Sequence, residues 1–205
     1  MATTLVQMTL HKAIFNRRSI RRYLPDAIPR DVIGRLFEAA SWAPSAHNRQ
    51  PWRFCVVESV ERKEQLARAM GRQLRADLEA DGLDEAVIAA DVGRSYARMT
   101  SAPVLIVVCF SLVDMDVYPD EKRAHNEVIM AVQSTAMAGQ NLLLMAHEQG
   151  LGACWMCAPL FVPDIVRDAL ELPEDWQPQG VIALGYAAQE REKTRQPMET
   201  KTLWR

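Results

Sequence analysis

The feature that most constrains the fold of this chain is a run of twenty residues, 128–147, that contains no Asp, Glu, Lys or Arg. The run is about as long as a membrane-spanning helix. It also contains three side-chain amides and two hydroxyls, which are costly in lipid, and the sequence offers no second apolar span to pair with them. We therefore predict a central helix over about 123–149, buried in a core or in a large subunit interface.

Hydrophobic periodicity on either side of this helix predicts a mixture of helices and strands without regular alternation. Helices are predicted at about 9–16, 29–43, 60–80, 84–100 and 163–171, and strands at 52–58, 104–110, 153–157 and 180–187. No Gly-rich turn joins a strand to a helix, which argues against a Rossmann nucleotide-binding domain. The pattern favours an α+β fold in which helices cover a small sheet.

The charge distribution indicates a local anion site near the N-terminus. The net charge is −2, but residues 1–53 carry nine Lys/Arg against three Asp/Glu. A basic quarter on a nearly neutral chain suits one anionic ligand better than nucleic acid, for which a basic total is expected. An exposed charged surface is the alternative interpretation.

Cysteine usage and the N-terminal residues favour the cytoplasm. The first twelve residues lack the long apolar segment of a signal peptide, and the four cysteines lack the spacing of a secreted disulfide framework. Cys154 and Cys157 both fall in a predicted strand, and no second pair is present to complete a zinc site. We expect neither a disulfide nor a metal site.

Two basic segments offer groups that bind phosphate. Arg17-Arg18-Ser19-Ile20-Arg21 places three guanidinium groups and a hydroxyl within five residues, and Lys193-Thr194-Arg195 adds two cations near the other end of the chain. Guanidinium groups make charge-assisted, bidentate contacts to phosphate oxygens. Each segment by itself is more typical of a solvated surface.

A polar loop between two prolines, Pro44 and Pro51, joins a predicted helix to a predicted strand. Its backbone N–H groups can donate hydrogen bonds, and the amides of Asn48 and Gln50 can both donate and accept them, as recognition of a polar ring or a polyol chain requires. The alternative is a rigid loop whose amides bond only to the local backbone.

Taken in order, these segments resemble the nitroreductase family of flavoproteins. The resemblance rests on Arg-Arg-Ser-x-Arg, on Ala-Pro-Ser-x-x-Asn-x-Gln-Pro-Trp, on Gly-Leu-Gly before a short strand, on a closing Ala-Leu-Gly-Tyr strand and on Lys-x-Arg, and it covers about residues 12–197. It implies one domain over 1–205, folded as a three-layer sandwich with a small central mixed sheet. It also implies an intertwined homodimer with FMN bound at the interface.

The resemblance assigns the cofactor-binding residues in three groups. Arg17, Arg18, Ser19, Arg21, Lys193 and Arg195 would hold the phosphate and ribityl chain; Pro44, Ser45, Ala46, Asn48 and Gln50 would reach the flavin from the other subunit; Trp155, Met156, Cys157 and Ala158 would run beside the ring. No catalytic side chain is expected, since the flavin carries the chemistry. Family members often have Gly at the position of Cys157, which leaves the geometry at the flavin edge open.

The implied activity is the NAD(P)H-dependent reduction of electron-poor small molecules, such as nitroaromatics and quinones, by a ping-pong mechanism through the flavin N5. Residues 60–100 are predicted to form a helical lid that selects the acceptor and carries Arg72, Arg75, Arg94 and Arg98. Residues 189–205 are predicted to form a tail that packs on the partner subunit. A narrower resemblance, to the FMN domain of ligases of deazaflavin-cofactor biosynthesis, leaves a reductase of a dehydro intermediate as an alternative. A flavin-binding protein without turnover is another. Neither a nucleic-acid nor a membrane partner is expected.

Overall fold

The computed structural model describes residues 8–205. The first seven residues, part of the segment used above to argue against a signal peptide, lie outside the described range. The helices are α1 (Leu10–Asn16), α2 (Arg30–Ser41), α3 (Val60–Ala80), α4 (Glu85–Thr100), α5 (Glu121–Glu148) and α6 (Pro163–Leu170). The strands are β1 (Trp52–Val57), β2 (Val104–Phe110), β3 (Leu151–Met156) and β4 (Gln177–Tyr186). Every predicted helix and strand is therefore present.

The four strands form one antiparallel sheet in the order β1-β2-β4-β3. We expected a mixed sheet, and in this respect the prediction needs correction. Within residues 8–205 the parallel pairing is a single isolated bridge between Ser19 and Ala153. The segment that carries Ser19 meets β3 at this one point, so it does not add a parallel strand.

Helices cover both faces of the sheet, which confirms the three-layer arrangement. Every residue of β2 is buried, and its side chains alternate between the two faces. Val104, Ile106 and Val108 pack with α2 and α5 in one core. Leu105, Val107 and Cys109 pack with α3 and α6 in the other.

The central helix α5 is a core helix, as predicted. Ala138, Leu142 and Ala146 are fully buried against the sheet and α2. By length and mean hydropathy (1.3) α5 could cross a membrane, but a core helix passes the same test. Within one chain, 39% of its apolar window is buried. The opposite side of the helix presents a stripe of exposed residues, which we call the α5 stripe: Ile129, Gln133, Ala136, Met137 and Gln140.

One buried cation stabilises the junction between α4 and β2. Lys63 of α3 is only 4% exposed, and its Nζ donates to the carbonyl oxygens of Ala102 (2.8 Å) and Pro103 (3.0 Å). Burial lowers the pKa of this ammonium group. The two hydrogen bonds therefore hold the turn after α4 against α3.

Lys63→Ala should lower the free energy of unfolding by about 2–4 kcal/mol, since it leaves two carbonyl acceptors without their donor and opens space at the junction. Urea denaturation of the purified variant measures the change. The matched control is Arg62→Ala, which removes an exposed cation whose partner is Glu171 and should cost less than about 1 kcal/mol. Equal losses in the two variants would mean that the bonds of Lys63 contribute nothing specific.

Candidate functional site

The basic run 17–21 lies along the outer edge of β3. The backbone N–H of Ile20 donates to the Ala153 carbonyl (3.1 Å), next to the bridge made by Ser19. This close approach requires Gly152, because a Cβ there would lie 2.8 Å from Ile20 Cγ2. The fold thus brings the basic run beside the strand predicted to run along the flavin ring.

Tyr23 fixes the far end of the basic run. Its hydroxyl lies 2.6 Å from the carbonyl oxygen of Ile20 and 3.0 Å from the carbonyl oxygen of Ala183 in β4. The single O–H hydrogen is shared between these two acceptors. Burial raises the pKa of this hydroxyl well above its usual range, so it stays protonated and remains a donor. The Leu24 N–H then bonds to the Tyr186 carbonyl (2.9 Å). These contacts hold the run against both strands at this side of the sheet.

A cleft of about 490 Å³, here called the anion cleft, opens beside the basic run. The start of β3 lines it, together with three arginines, two glutamates and two further polar side chains: Arg17, Arg18, Arg191, Glu190, Glu192, His147 and Gln189. Arg17 is half-buried, and the pKa of its guanidinium is lowered by burial first and then by the positive charges of Arg195 and Arg18. The two basic segments, far apart in sequence, are therefore neighbours. Neighbouring cations repel one another, and an anion between them would relieve that repulsion.

Three buried nitrogen atoms at the anion cleft have no hydrogen-bond partner within residues 8–205: Arg18 Nε, His147 Nε2 and Gln189 Nε2. Those of Arg18 and Gln189 are N–H donors, and a buried donor without an acceptor costs roughly 1–3 kcal/mol. Burial, and after it the charges of Arg17 and Arg18, lower the pKa of His147. The residues present thus fit a group that brings oxygen acceptors and negative charge, as a phosphate does.

The loop between Pro44 and Pro51 is held in a strained conformation. His47, Asn48 and Gln50 all have positive φ, at 50°, 55° and 51°. The Gln50 N–H donates to Ser45 Oγ (3.1 Å), and the Gln50 amide donates to Asn48 Oδ1 (3.3 Å). Such left-handed non-glycine residues cost of order 1–3 kcal/mol each and are concentrated at functional sites.

Within one chain the fold keeps this loop away from the anion cleft. The loop is attached to α5 where the Ala46 N–H donates to Ser134 Oγ (3.3 Å), whereas the cleft lies at His147 near the end of the same helix. Thirteen residues separate Ser134 from His147, which is roughly 20 Å along a helix. One protomer therefore does not bring the loop together with Arg17.

The end of β3 is shaped by a tightly packed tryptophan. A Cβ at Gly139 of α5 would collide with the Trp155 ring, and one at Gly180 of β4 would lie 2.6 Å from it. The indole Nε1–H points at Cys157 Sγ (3.2 Å). Cys157 is exposed and lies just beyond β3, not inside it as predicted, while Cys154 is buried; both are free thiols.

The predicted residues of the strained loop, and Lys193, are not brought into contact with the basic run. Lys193 is exposed, and no hydrogen bond or ion pair of its side chain occurs in the described range. Pro44, Asn48 and Gln50 are exposed on the strained loop. Arg195 is exposed, and its Nη1 donates to the Thr194 carbonyl (3.2 Å).

Sequence reasoning missed several residues that face these clefts. His147 and Gln189 carry no motif and become visible only through the packing of α5 and the tail. A second cleft, here called the arginine cleft, measures about 400 Å³ and is lined by Arg21, Arg22, Arg94, Arg98 and Arg191. Of these, only Arg21 was predicted to bind the cofactor. Arg94 and Arg98 were expected only among the arginines of the lid, and Arg22 and Arg191 were not assigned a role. Spacing along the sequence gives no signal that these segments form one cluster.

Residues 60–100 form α3 and α4, and α3 packs on the sheet and α6; a lid function stays a prediction. The tail from 189 onward is mostly extended, with Trp204 90% exposed. Its packing on a partner also stays a prediction.

The chain is similar to known proteins over most of its length. The model of the nitroreductase family matches residues 14–186. A protein named NADH dehydrogenase from Thermus thermophilus is 31% identical over 230 aligned positions, covering all of both chains. A protein from Methanothermobacter thermautotrophicus, provisionally named an NADH dehydrogenase/NAD(P)H nitroreductase, is 30% identical over 89% of this chain and 80% of its own. A crystal structure from Desulfovibrio desulfuricans, provisionally described as a nitroreductase in complex with FMN, is 27% identical, covers 98% of both chains and has a TM-score of 0.75.

Proposed function

The chain belongs to the nitroreductase family, and from that premise we propose that it is an FMN-dependent oxidoreductase that uses NAD(P)H to reduce electron-poor small molecules, such as nitroaromatics and quinones. The observation that carries the proposal is a cleft lined by Arg17 and Arg18, with Arg195 close enough to act on the charge of Arg17, where buried N–H donors have no acceptor. The FMN-bound relative supports the identity of the cofactor.

In this proposal the anion cleft holds the phosphate of FMN. Arg17 and Arg195 supply positive charge, and the Arg18 Nε–H and the Gln189 amide supply donors that lack acceptors. Each charge-assisted hydrogen bond contributes roughly 1.5–3 kcal/mol. Lys193, two residues from Arg195, would add a further cation. Ser19 and Arg21, on the same basic run, would contact the ribityl chain.

The ring would lie beside the end of β3, along Trp155, Met156, Cys157 and Ala158. The ring of Trp155 packs directly on Gly139 and Gly180, where any Cβ would collide with it. This packing fixes the position of the segment. When bound, FMN supplies hydride acceptance and donation at its N5, which allows the donor and the acceptor to react in turn at one site, as in a ping-pong mechanism. The protein orients both ligands and excludes water. We assign no catalytic side chain.

We propose a homodimer in which each site is completed by the loop at Pro44–Pro51 of the partner subunit. Two observations support this. Within one chain the loop lies far along α5 from the anion cleft, and the α5 stripe leaves Ile129 and Met137 about 40% exposed. The loop residues Ser45, Ala46, Asn48 and Gln50 would then reach a flavin bound by the other protomer. The exposed Trp204 supports a tail that packs on the partner.

The purified protein should be yellow, and anaerobic NADPH or NADH should bleach it within the mixing time of an ordinary assay. A nitroaromatic or a quinone should then restore the colour. Absorbance spectroscopy of the protein as purified and after each addition measures both steps. A colourless protein that does not take up added FMN would refute the cofactor assignment.

The same experiment distinguishes the alternative functions. A flavin-binding protein without turnover would stay yellow under both nicotinamides. A reductase of a dehydro intermediate in deazaflavin-cofactor biosynthesis would retain FMN but fail to transfer electrons to simple nitroaromatics or quinones.

A further inference from the structure

The strained loop lies beside a second loop, which joins β2 to α5 over residues 111–120 and is here called the β2–α5 loop. Trp52 at the start of β1 pairs with Phe110 at the end of β2, so the two loops leave the sheet at the same end. The Ser111 N–H donates to the Pro51 carbonyl (2.9 Å) and joins their bases. The position of the strained loop therefore depends on that of the β2–α5 loop.

Arg53, the second residue of β1, bridges the two loops. Its Nη1 donates to the carbonyl oxygens of Gln50 (3.3 Å) and Trp52 (3.0 Å), and its Nη2 forms an ion pair with Asp114 (2.7 Å). The side chain is only 25% exposed. One guanidinium group thus connects the backbone at Gln50, where φ is positive, to a carboxylate of the β2–α5 loop.

Arg49 makes a second connection, from within the strained loop itself. Its guanidinium forms an ion pair with Asp116. The backbone N–H of Asp116 donates in turn to Glu127 Oε2 (3.3 Å), and Glu127, on α5, is only 4% exposed. The ion pairs Arg49–Asp116 and Arg53–Asp114 are here called the loop clamp. Through Glu127 the clamp is attached to the central helix.

The β2–α5 loop is fixed independently of the clamp. Met115, between the two clamp aspartates, is buried and packs with Phe110 and Ala131. Its N–H donates to the Leu112 carbonyl (3.0 Å), which closes a turn. The loop is therefore a firm support for the two arginines that pair with it.

The strained loop needs such support. Residues held at positive φ without glycine persist only where their surroundings enforce that conformation. Burial does not enforce it here, because His47, Asn48 and Gln50 are all exposed. What remains is polar contact: the bonds of Ser45 and Ser134 described above, and the loop clamp.

We propose that Arg49 and Arg53 are positioning residues of the flavin site, which act through Asp114 and Asp116 to hold the strained loop in the conformation that completes the site of the other protomer. This inference rests on the proposed function. A loop that is already ordered binds its ligand without a further loss of entropy, and it places the bound ring accurately for reaction. The two arginines act through the loop and not on the flavin itself.

Exchange of the charges of Arg49 and Asp116 tests the clamp. Arg49→Asp and Asp116→Arg each bring like charges together, and each should raise the Kd for FMN about tenfold. The double variant Arg49→Asp/Asp116→Arg re-forms the ion pair in the opposite sense, and its Kd should return to within about threefold of the wild-type value. Titration of the cofactor-free proteins with FMN, followed by flavin fluorescence, measures all four constants. A double variant as weak as the single ones would overturn the proposal, because it would mean that Arg49 contacts the flavin directly.

Arg62→Asp is the matched control. Arg62, on α3, is as exposed as Arg49 (45% against 43%) and also belongs to a single ion pair, with Glu171. The control should bind FMN as the wild type does. A loss of affinity equal to that of Arg49→Asp would show that overall charge, and not the clamp, sets the Kd.

Thermal denaturation separates positioning from support of the fold. The ion pair of Arg49 is partly exposed, so the cofactor-free single variants should melt within about 4 °C of the cofactor-free wild type. A much lower Tm together with an unchanged Kd for FMN would mean that the clamp supports only the fold, and the positioning role would be refuted.

Turnover of the FMN-saturated enzyme gives a readout of orientation. With NADH and a quinone, Arg53→Ala should lower kcat/KM by roughly tenfold to a hundredfold. Arg53→Lys keeps the charge but loses the fork that reaches both loops, and it should recover only part of the loss. Wild-type kcat/KM in Arg53→Ala would contradict the assignment of this residue.

Failure of this inference differs from failure of the proposed function. If the wild type binds FMN and NAD(P)H reduces it, but the Arg49 and Arg53 variants match the wild type, only the positioning role is refuted. If the wild type binds no FMN, the proposed function fails and the inference fails with it.

Discussion

Arg17→Ala combined with Arg195→Ala should yield a protein that purifies almost without colour. The two side chains are close enough for the charge of Arg195 to lower the pKa of Arg17, and in the proposed site both contact the phosphate of FMN. Loss of two charge-assisted contacts, at roughly 1.5–3 kcal/mol each, should weaken FMN binding by roughly a hundredfold to ten-thousandfold. The flavin-to-protein ratio after gel filtration and the Kd from titration with FMN measure the effect.

An Arg30→Ala/Arg62→Ala protein, which loses two exposed arginines from surface ion pairs, serves as the control, because it removes the same charge at a distance from the cleft. The cofactor-free form of Arg17→Ala/Arg195→Ala should be as stable as the cofactor-free wild type or more so, since two neighbouring cations are gone. Full flavin occupancy in this variant would remove both arginines from the phosphate site.

Ala136→Arg should convert a dimer into monomers. Ala136 lies in the middle of the exposed α5 stripe, where an arginine is harmless in a free monomer. In a dimer that covers the stripe, the same change would bury an unpaired charge, at a cost of several kcal/mol. Sedimentation velocity or light scattering should therefore report a dimer for the wild type and a monomer for the variant.

The colour of the Ala136→Arg protein tests whether the site is shared. If the loop at Pro44–Pro51 of the partner subunit completes the site, the monomer should lose most of its FMN. A yellow monomer would disprove the sharing, and a dimeric variant would show that the stripe lies outside the interface. Ala80→Arg, at the exposed end of α3, is the matched control and should remain a yellow dimer.

The elements of the fold were predictable because each has a strong local signal. The charge-free run predicted α5, and Gly150, with φ of 76°, ends that helix as expected. The start of β4 was placed three residues too late, since Pro178 argues against a strand. In the structure Pro178 lies opposite Cys109, where the pairing of β2 and β4 shifts register, and such an irregularity tolerates a residue that cannot donate to the sheet.

The candidate site was predictable only in part. The basic run and the prolines of the loop have patterns that can be recognised, but the proximity of Arg17 and Arg195 is a property of the folded chain. Nothing local indicated that His47 and Asn48 would adopt left-handed conformations, because Gly is the residue that normally signals them. The arginine cleft joins segments about 170 residues apart, from Arg21 to Arg191. No periodic pattern in the sequence predicts contacts between segments so far apart.

The bridge between Ser19 and Ala153 also bears on how the chain behaves when it is produced. β3 is the last strand of the sheet, and a strand at an edge exposes amide and carbonyl groups that can recruit other chains into aggregates. The segment that covers part of this edge also carries Arg17. A ligand that binds Arg17 in the anion cleft should therefore hold the segment against β3 and keep the edge covered. Expression in cells supplied with riboflavin should therefore give more soluble protein than expression in flavin-starved cells.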